Sequence, residues 1–362
     1  MSPINIVIAG FSVIAAVDRL FGSRFGLGKE FTRGFQLLGS MALSMIGIIV
    51  VSPYLAKLLN PCFEFFYNTL GIDPSIIPAS LFANDMGGAP LSVEVARDPE
   101  IGLFNALVVS SMMGCTISFS IPCSMEIVKK EAQREMLLGY LCGVATIPLG
   151  CLISGLALRL PLRSLFMELL PLAVFAGVIV AGLLLCPKFC VKTFEILGWI
   201  IRLLITVGLI LGIIRFLLGY EIIEGLSTLE EGASVCFNAA VVMTGAFPML
   251  FLLSKALTRP LKKLGSAMNI NETAAMGLIA TVATAMSTYE MMNRMDRKGV
   301  MLNAAFLVSA GFTFAGHLAF TMAFDASYIP YVIIGKLTAG IFALLFALLL
   351  YPRVKNSMEK RQ

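Results

Sequence analysis

Residues 78–90 read Pro78-Ala79-Ser80-Leu81-Phe82-Ala83-Asn84-Asp85-Met86-Gly87-Gly88-Ala89-Pro90. A short apolar stretch here ends in an amide and a carboxylate, followed at once by paired glycines. The other apolar segments of the chain are long enough to cross a bilayer. An ionised side chain in hydrocarbon is costly, so it persists mainly where it faces a cavity, a partner or a solute path. Gly87 and Gly88 let the backbone turn sharply or be approached closely. A broken helix carrying an acid suits a transport site.

The 362 residues are 58% hydrophobic and 14% charged, with mean hydropathy +0.90, against about 25% charged in an ordinary soluble domain. This is the composition of an all-α integral membrane protein. Stretches of about 20 apolar residues lie at 4–21, 35–59, 101–125, 136–158, 166–186, 194–218, 235–257, 300–324 and 329–351, nine expected full spans. Two further segments, 75–88 and 271–287, are shorter or richer in small polar residues and read as broken or re-entrant; eleven spans would follow if both crossed fully. The segment 4–21 has no basic n-region and no small-residue cleavage site, so it reads as a retained helix. Net charge is +5, an excess that in a membrane protein reports which loops face the cytoplasm; no nucleic-acid partner is expected. The eight cysteines lie mostly in apolar segments and read as small packing residues. With a single histidine they give no metal pattern, and no cofactor is expected.

Basic residues cluster at Arg24, Lys29 and Arg33, at Lys129, Lys130 and Arg134, at Lys188 and Lys192, and at Lys255, Arg259, Lys262 and Lys263. The loop 219–231 carries Glu221, Glu224, Glu230 and Glu231 with no basic residue. The positive-inside rule then puts the N-terminus outside and the C-terminus inside, and the path closes only if both broken segments return to the side they entered from. A shift of 198 positions lays 35–59 on 235–257, the first broken segment on the second, and 101–125 on 300–324, with antiparallel copies. Inverted-topology repeats of this kind mark secondary transporters, whose sites lie at discontinuous helices near the midplane. The expected organisation is a first half at 1–158, a connecting transmembrane helix at 159–193, a second half at 194–351 and a basic tail at 352–362.

Asp85 can neutralise an ammonium group, and Asn84 offers donors and acceptors beside it; the alternative is a solvated hairpin tip. With Gly87 and Gly88 they form the first part of the expected substrate site. Asn105 and Asn303 sit at matching places inside spanning helices, where an unsatisfied amide is costly, so they bind solute or bond between helices. Ser111 adds a hydroxyl near the first of them. In the second broken segment Thr284 and Tyr289 are candidates, the tyrosine as an aromatic face for a cation or as an interfacial belt residue. His317, the lone histidine, could relay a proton, bond a hydroxyl, or tie helices together. Asp18 and Arg19 read as a membrane-edge anchor or an interhelix pair.

The string Asp85, Met86, Gly87, Gly88, then Ser110, Ser111, Met112, Met113, Gly114 and Phe119, Ser120, Ile121, Pro122 resembles the bacterial ethanolamine utilization permeases of the EutH family. So do Met291, Met292, Met295, Asp296 and the run from Asn303, Ala304 and Ser309 to His317, Leu318. The likeness extends from Val17, Asp18, Arg19 to Gly335, Lys336, Leu337. The resemblance implies a multi-pass permease of the bacterial cytoplasmic membrane, embedded in lipid, that takes up ethanolamine, with homo-oligomerisation and the coupling ion (H+, Na+ or none) left open. The chain departs from the family pattern at Thr284 to Ser287, at Gly316 and at Glu290.

Two other classes have their own requirements. A carrier for a nucleoside or another polar solute would use the same kind of inverted repeat, since fold does not fix substrate. An intramembrane enzyme would want clustered aspartates for magnesium or a His-Glu-x-x-His motif; the sequence has neither, nor a nucleotide-binding loop.

Overall fold

Both broken segments turn back on themselves, and the hydrogen bonds at their ends show it. In the computed structural model, which describes residues 3–359, the Asp73 carboxylate accepts the backbone N–H groups of Arg97 and Asp98, each at 2.9 Å. The residues before and after the first broken segment therefore meet. In the second, the Asn271 N–H donates to Asp296 Oδ1 at 2.8 Å and its side-chain amide donates to the Arg294 carbonyl at 3.0 Å. Each segment enters and leaves on one side, so neither adds a crossing. Positions 73 and 271, 98 and 296, and 105 and 303 are each 198 apart, and each pair does related work. Asp98 and Asp296 both cap the following helix through their side chains. Asn105 donates to Ser75 Oγ at the start of one hairpin, and Asn303 to the Ala274 carbonyl at the start of the other, both at 2.9 Å.

In chain order the helices are α1 (Pro3–Leu20), α2 (Leu27–Leu70), α3 (Ile76–Leu81), α4 (Gly88–Val95), α5 (Pro99–Ile127), α6 (Lys130–Ala157), α7 (Leu162–Leu185) and α8 (Pro187–Leu218). They continue as α9 (Leu229–Ala267), α10 (Glu272–Ala283), α11 (Ala285–Met292), α12 (Arg297–Ala310), α13 (Gly316–Asp325) and α14 (Ile329–Glu359). Among the described residues seven stretches are long and apolar enough to cross a membrane: Leu27–Pro61, Pro99–Ile127, Lys130–Ala157, Leu162–Leu185, Pro187–Leu218, Leu229–Leu252 and Gly316–Pro352. The protein is an all-α, multi-pass membrane protein. The expected span at 4–21 is α1, 18 residues long, packed against α2 and α9. The last three residues of the tail at 352–362 lie outside the described residues.

One expected span is interrupted. The stretch 300–324 stops as a helix at Gly311, crosses an irregular segment and restarts as α13. The cause lies in α10, which ends inside the protein at Thr284 with its last carbonyls lacking intrahelical donors. The Phe312 N–H donates to the Thr281 carbonyl at 3.1 Å and the Phe314 N–H to the Val282 carbonyl at 2.9 Å. The break supplies the donors that the truncated helix needs. Phe312 adopts φ +60°, a conformation that costs a non-glycine residue about 1–3 kcal/mol. In the first half the counterpart helix α5 stays continuous, but is wound in wide π turns over Asn105–Gly114 and Thr116–Ser120. There the hairpin is held by a side chain, with the Ala83 N–H donating to Ser118 Oγ at 3.0 Å.

Small residues set the close approaches. α6 lies against α12 through Gly139 and Gly143, and against α14 through Gly150 and Gly335. The long helices α2 and α8 cross backbone to backbone at Gly47 and Gly208, as small residues permit in membranes, where packing drives association. Phe166, Val174 and Val178 on α7 and Trp199 on α8 are exposed, an apolar surface of the kind that faces lipid. Asp18 accepts the N–H groups of Phe25 and Gly28 at 3.0 and 2.9 Å, fixing the turn from α1 into α2.

Candidate solute-binding site

The tips of the two hairpins meet at a cavity of about 340 Å³. From the first hairpin come Ala83, Asp85 and Met86. The second contributes Ala283 and Thr284, and the broken span Phe312, Gly316 and His317. Cys115 and Phe119 of α5 close one wall, and residues of α2 and α9, including Arg33 and Phe247, close the other.

The local sequence explains how Asp85 reaches this place. α3 ends where Phe82 turns extended, at φ −118° and ψ 138°, and a single 3-10 turn over Asn84–Met86 follows. Gly87 then takes φ +105° against the Ile48 side chain, which a residue with a Cβ could not adopt without strain. At Gly88 an added Cβ would meet the Phe82 and Ala83 carbonyl oxygens. The glycine pair thus folds the chain tightly enough to leave Asp85 on the cavity wall. Asn84 beside it is fully buried, and neither atom of its side-chain amide has a hydrogen-bond partner in the protein.

His317 is 2% exposed. Its ring lies 5.3 Å from the Phe312 ring, and Phe312 packs edge-on against Phe119 at 5.7 Å. Behind His317 is Lys336 of α14, with no exposed surface. Lys336 Nζ is 3.0 Å from His317 Nδ1 and donates to the Ser111 carbonyl at 2.6 Å. In the sequence Lys336 stands out only as a member of the Gly335, Lys336, Leu337 motif. The available signal was a lone lysine in the middle of the apolar stretch 329–351, since intramembrane charges default to functional positions.

Asp85, Gly87, Gly88, Thr284 and His317 are therefore brought together or shape one place, with Asn84 next to it. Ser111 touches the group through its backbone carbonyl, while its hydroxyl donates to the Val108 carbonyl at 2.9 Å. Three candidates lie elsewhere. Tyr289 is fully buried, its hydroxyl 3.3 Å from that of Tyr140. Asn303 donates to the Ala274 and Gly299 carbonyls. Asn105 donates to Ser75 Oγ and to Glu168 Oε2, both at 2.9 Å. Glu168, a buried acid that the sequence did not single out, also accepts the Asp73 N–H at 2.8 Å. These contacts lead to an expected outcome: Asn105→Ala should cost about 1–3 kcal/mol of stability by stripping partners from buried polar groups. Thermal unfolding in detergent would read it, with apparent affinity for solute near wild type. A loss of affinity at unchanged stability would instead make Asn105 a solute ligand.

The family model described as "Ethanolamine utilisation protein, EutH" matches residues 2–350. The chain belongs to the EutH family. Among its relatives, the probable ethanolamine permease EutH of Listeria monocytogenes is 38% identical over 353 residues, covering 97% of this chain and 95% of the relative. The probable ethanolamine permease EutH of Salmonella typhimurium is 34% identical, with 97% and 96% of the two chains covered. The uncharacterized protein YxeR of Bacillus subtilis is also 34% identical, over 98% of this chain. No solved structure matches the chain. Family membership and the apolar helices make the protein a permease of the bacterial cytoplasmic membrane rather than an enzyme, in keeping with the EutH resemblance read from its motifs.

Proposed function

We propose that this permease carries ethanolamine, as the protonated amino alcohol, into the cell by alternating access around the cavity at the hairpin tips. The observation that carries the proposal is the position of Asp85, a carboxylate at the tip of one hairpin, sharing a cavity with the other hairpin's Thr284 and with His317. An alkylamine such as the lysine side chain has a pKa of about 10.4, so ethanolamine is an ammonium ion at neutral pH and needs a counter-charge to leave water. Asp85 supplies it. Thr284 and the unpaired Asn84 amide offer partners for the hydroxyl, and Phe119, Phe312 and Phe247 offer the aromatic faces that cations favour. The names carried by the Listeria and Salmonella relatives support the same solute.

The cavity shares Arg33, Phe247, Ala283 and Thr284 with an adjoining one of about 310 Å³ that extends to Glu30. By the distribution of basic residues that side is cytoplasmic, which makes this conformation open to the inside. Arg33 sits over the Phe247 ring at 4.8 Å and 3.3 Å from Glu30, placing a cation at the mouth that an ammonium leaving the site must pass. The halves 1–158 and 194–351, joined by 159–193, are the units proposed to rock against each other, with no cofactor.

Uptake of labelled ethanolamine into proteoliposomes tests the solute. Saturable uptake, competed by unlabelled ethanolamine and not by uridine, is expected; competition by uridine alone would favour the nucleoside reading. Orientation has its own test. A cysteine placed at exposed Glu224 should react with an impermeant thiol reagent added outside cells, and one at exposed Lys130 should be protected. Reversed labelling would invert the proposed path.

A further inference from the structure

We infer that Lys336 is an internal ammonium that holds the counter-charge of Asp85 while the site is empty, and that binding of the solute ammonium drives a proton off Lys336, so that ethanolamine and a proton exchange at one carboxylate. This rests on the assignment of Asp85 as the cation-binding group. Lys336 has no exposed surface, and its Nζ donates to the Ser111 carbonyl and lies 3.0 Å from His317 Nδ1. A buried ammonium requires compensation. Asp85 on the first hairpin lines the same cavity as His317, the ring 3.0 Å from Lys336 Nζ, and as the neutral thiol of Cys115 on α5. Among the described residues lining that cavity, Asp85 is the only carboxylate. α13 presents His317. The cations of α12, Arg297 and Lys298, stand in its first turn, about 20 Å along the helix from its end at Ala310. At the end of α13, Asp325 accepts from the Ser327 N–H and hydroxyl, and just beyond it the Tyr328 hydroxyl donates to the Glu100 carbonyl.

Among the described residues, Asp85 and Lys336 are not in direct ion-pair contact. His317 and Cys115 stand on the cavity wall, with Lys336 behind. A solute ammonium entering the cavity can thus pair directly with Asp85, while the Lys336 proton has a nearby acceptor. Two ammonium groups then share one carboxylate in a largely apolar cavity lined by Leu37, Met41, Phe119 and Phe312, and the lysine, whose protonation shifts readily on burial, gives way. The transfer balances as follows. A Lys336 Nζ–H bond breaks and its proton joins His317 Nδ1, while the ring's Nε2–H bond breaks and releases a proton to cavity water. The neutral Nζ keeps its donation to the Ser111 carbonyl and accepts from the new Nδ1–H. Nothing is oxidised or reduced.

The wide turns of α5 fit this role. Lys336 is accepted by a backbone carbonyl within the π-wound stretch, a polar but uncharged partner that can receive a donor from either the ammonium or the amine. The arrangement therefore survives loss of the proton.

The test measures proton release and binding on the full-length protein in detergent, in weak buffer near pH 7.5, with ethanolamine as the probe. Wild type should release about one proton per ethanolamine bound, because the site carries one carboxylate to balance. Lys336→Met should bind ethanolamine without releasing a proton. Lys336→Arg keeps a charge that does not dissociate, so it should remain folded and lose roughly tenfold or more in affinity. A merely structural cation predicts the reverse order, with arginine rescuing and methionine failing. If the protein took up neutral ethanolamine, proton release would persist in Lys336→Met and the arginine variant would bind normally, and either result would overturn the inference. Should the methionine variant fail to fold, the wild-type stoichiometry and the arginine variant still decide. Normal binding by Asp85→Asn would refute the assignment of the cation site itself, whereas loss of binding in Asp85→Asn with no proton release in wild type would refute only the exchange.

Discussion

Ethanolamine uptake by an Asp85→Asn variant is expected to fall about ten- to hundredfold at limiting solute, with the protein still reaching the membrane, because a charge-assisted bond contributes roughly 1.5–3 kcal/mol. Asparagine keeps the shape of the side chain and removes its charge, so the substitution isolates the electrostatic part of binding. The turn itself is held by contacts the change does not touch: the Gly88 N–H donates to the Ala83 carbonyl at 2.8 Å, and the Ala83 N–H to Ser118 Oγ. Size-exclusion behaviour and reconstitution efficiency, measured beside uptake, separate a folded, inactive carrier from a lost one. Wild-type uptake by the variant would make Asp85 a solvated hairpin tip.

A large effect on stability is expected at Gly114, where the first hairpin rests on α5. A Cβ there would run into the backbone of Phe82 and the carbonyl oxygen of Ala79. Neither is the end of a flexible side chain, so the hairpin itself must move. Overpacking of a tight contact costs about 1–3 kcal/mol, and Gly114→Val should sit at or above the top of that range. Displacement of the hairpin also displaces Asp85, so uptake should fall with stability. Gly177, on the exposed face of α7 with nothing within 4 Å of an added Cβ, is the control: Gly177→Ala should unfold at the wild-type temperature. A Gly114→Val protein as stable as the control would mean that the hairpin does not dock there.

Much of this was legible because membrane constraints act locally. Apolar length marks the spans, a charge beside paired glycines marks the break in 75–88, and short length with small polar residues marks the one in 271–287. Loop charges required both to return, and the contacts of Asp73 and Asn271 show that they do. The break at 311–315 was not legible for a physical reason: its cause is not in its own sequence. Gly311 and Gly316 permit a break, but what demands one is the unsatisfied C-terminal end of α10, a tertiary partner about thirty residues earlier in the chain. The same limit applies to Asn105 and Asn303. A buried amide in a helix calls for a partner, and only the fold reveals that Ser75, Glu168 and Ala274 supply it. Tyr289 met the same ambiguity, its hydroxyl lying beside that of Tyr140. Lys336 carries no such mark, because its helix is continuous there and no glycine pair or polar run flanks it.

The most direct test of the central claim is a structure of the protein determined with ethanolamine bound. The account predicts the solute's nitrogen within hydrogen-bonding distance, about 2.7–2.9 Å for a charged pair, of the Asp85 carboxylate, in the cavity bounded by Thr284, Phe312 and His317. Ethanolamine seated instead against Asn105 and Glu168, or anywhere that leaves Asp85 without the ammonium, would contradict it.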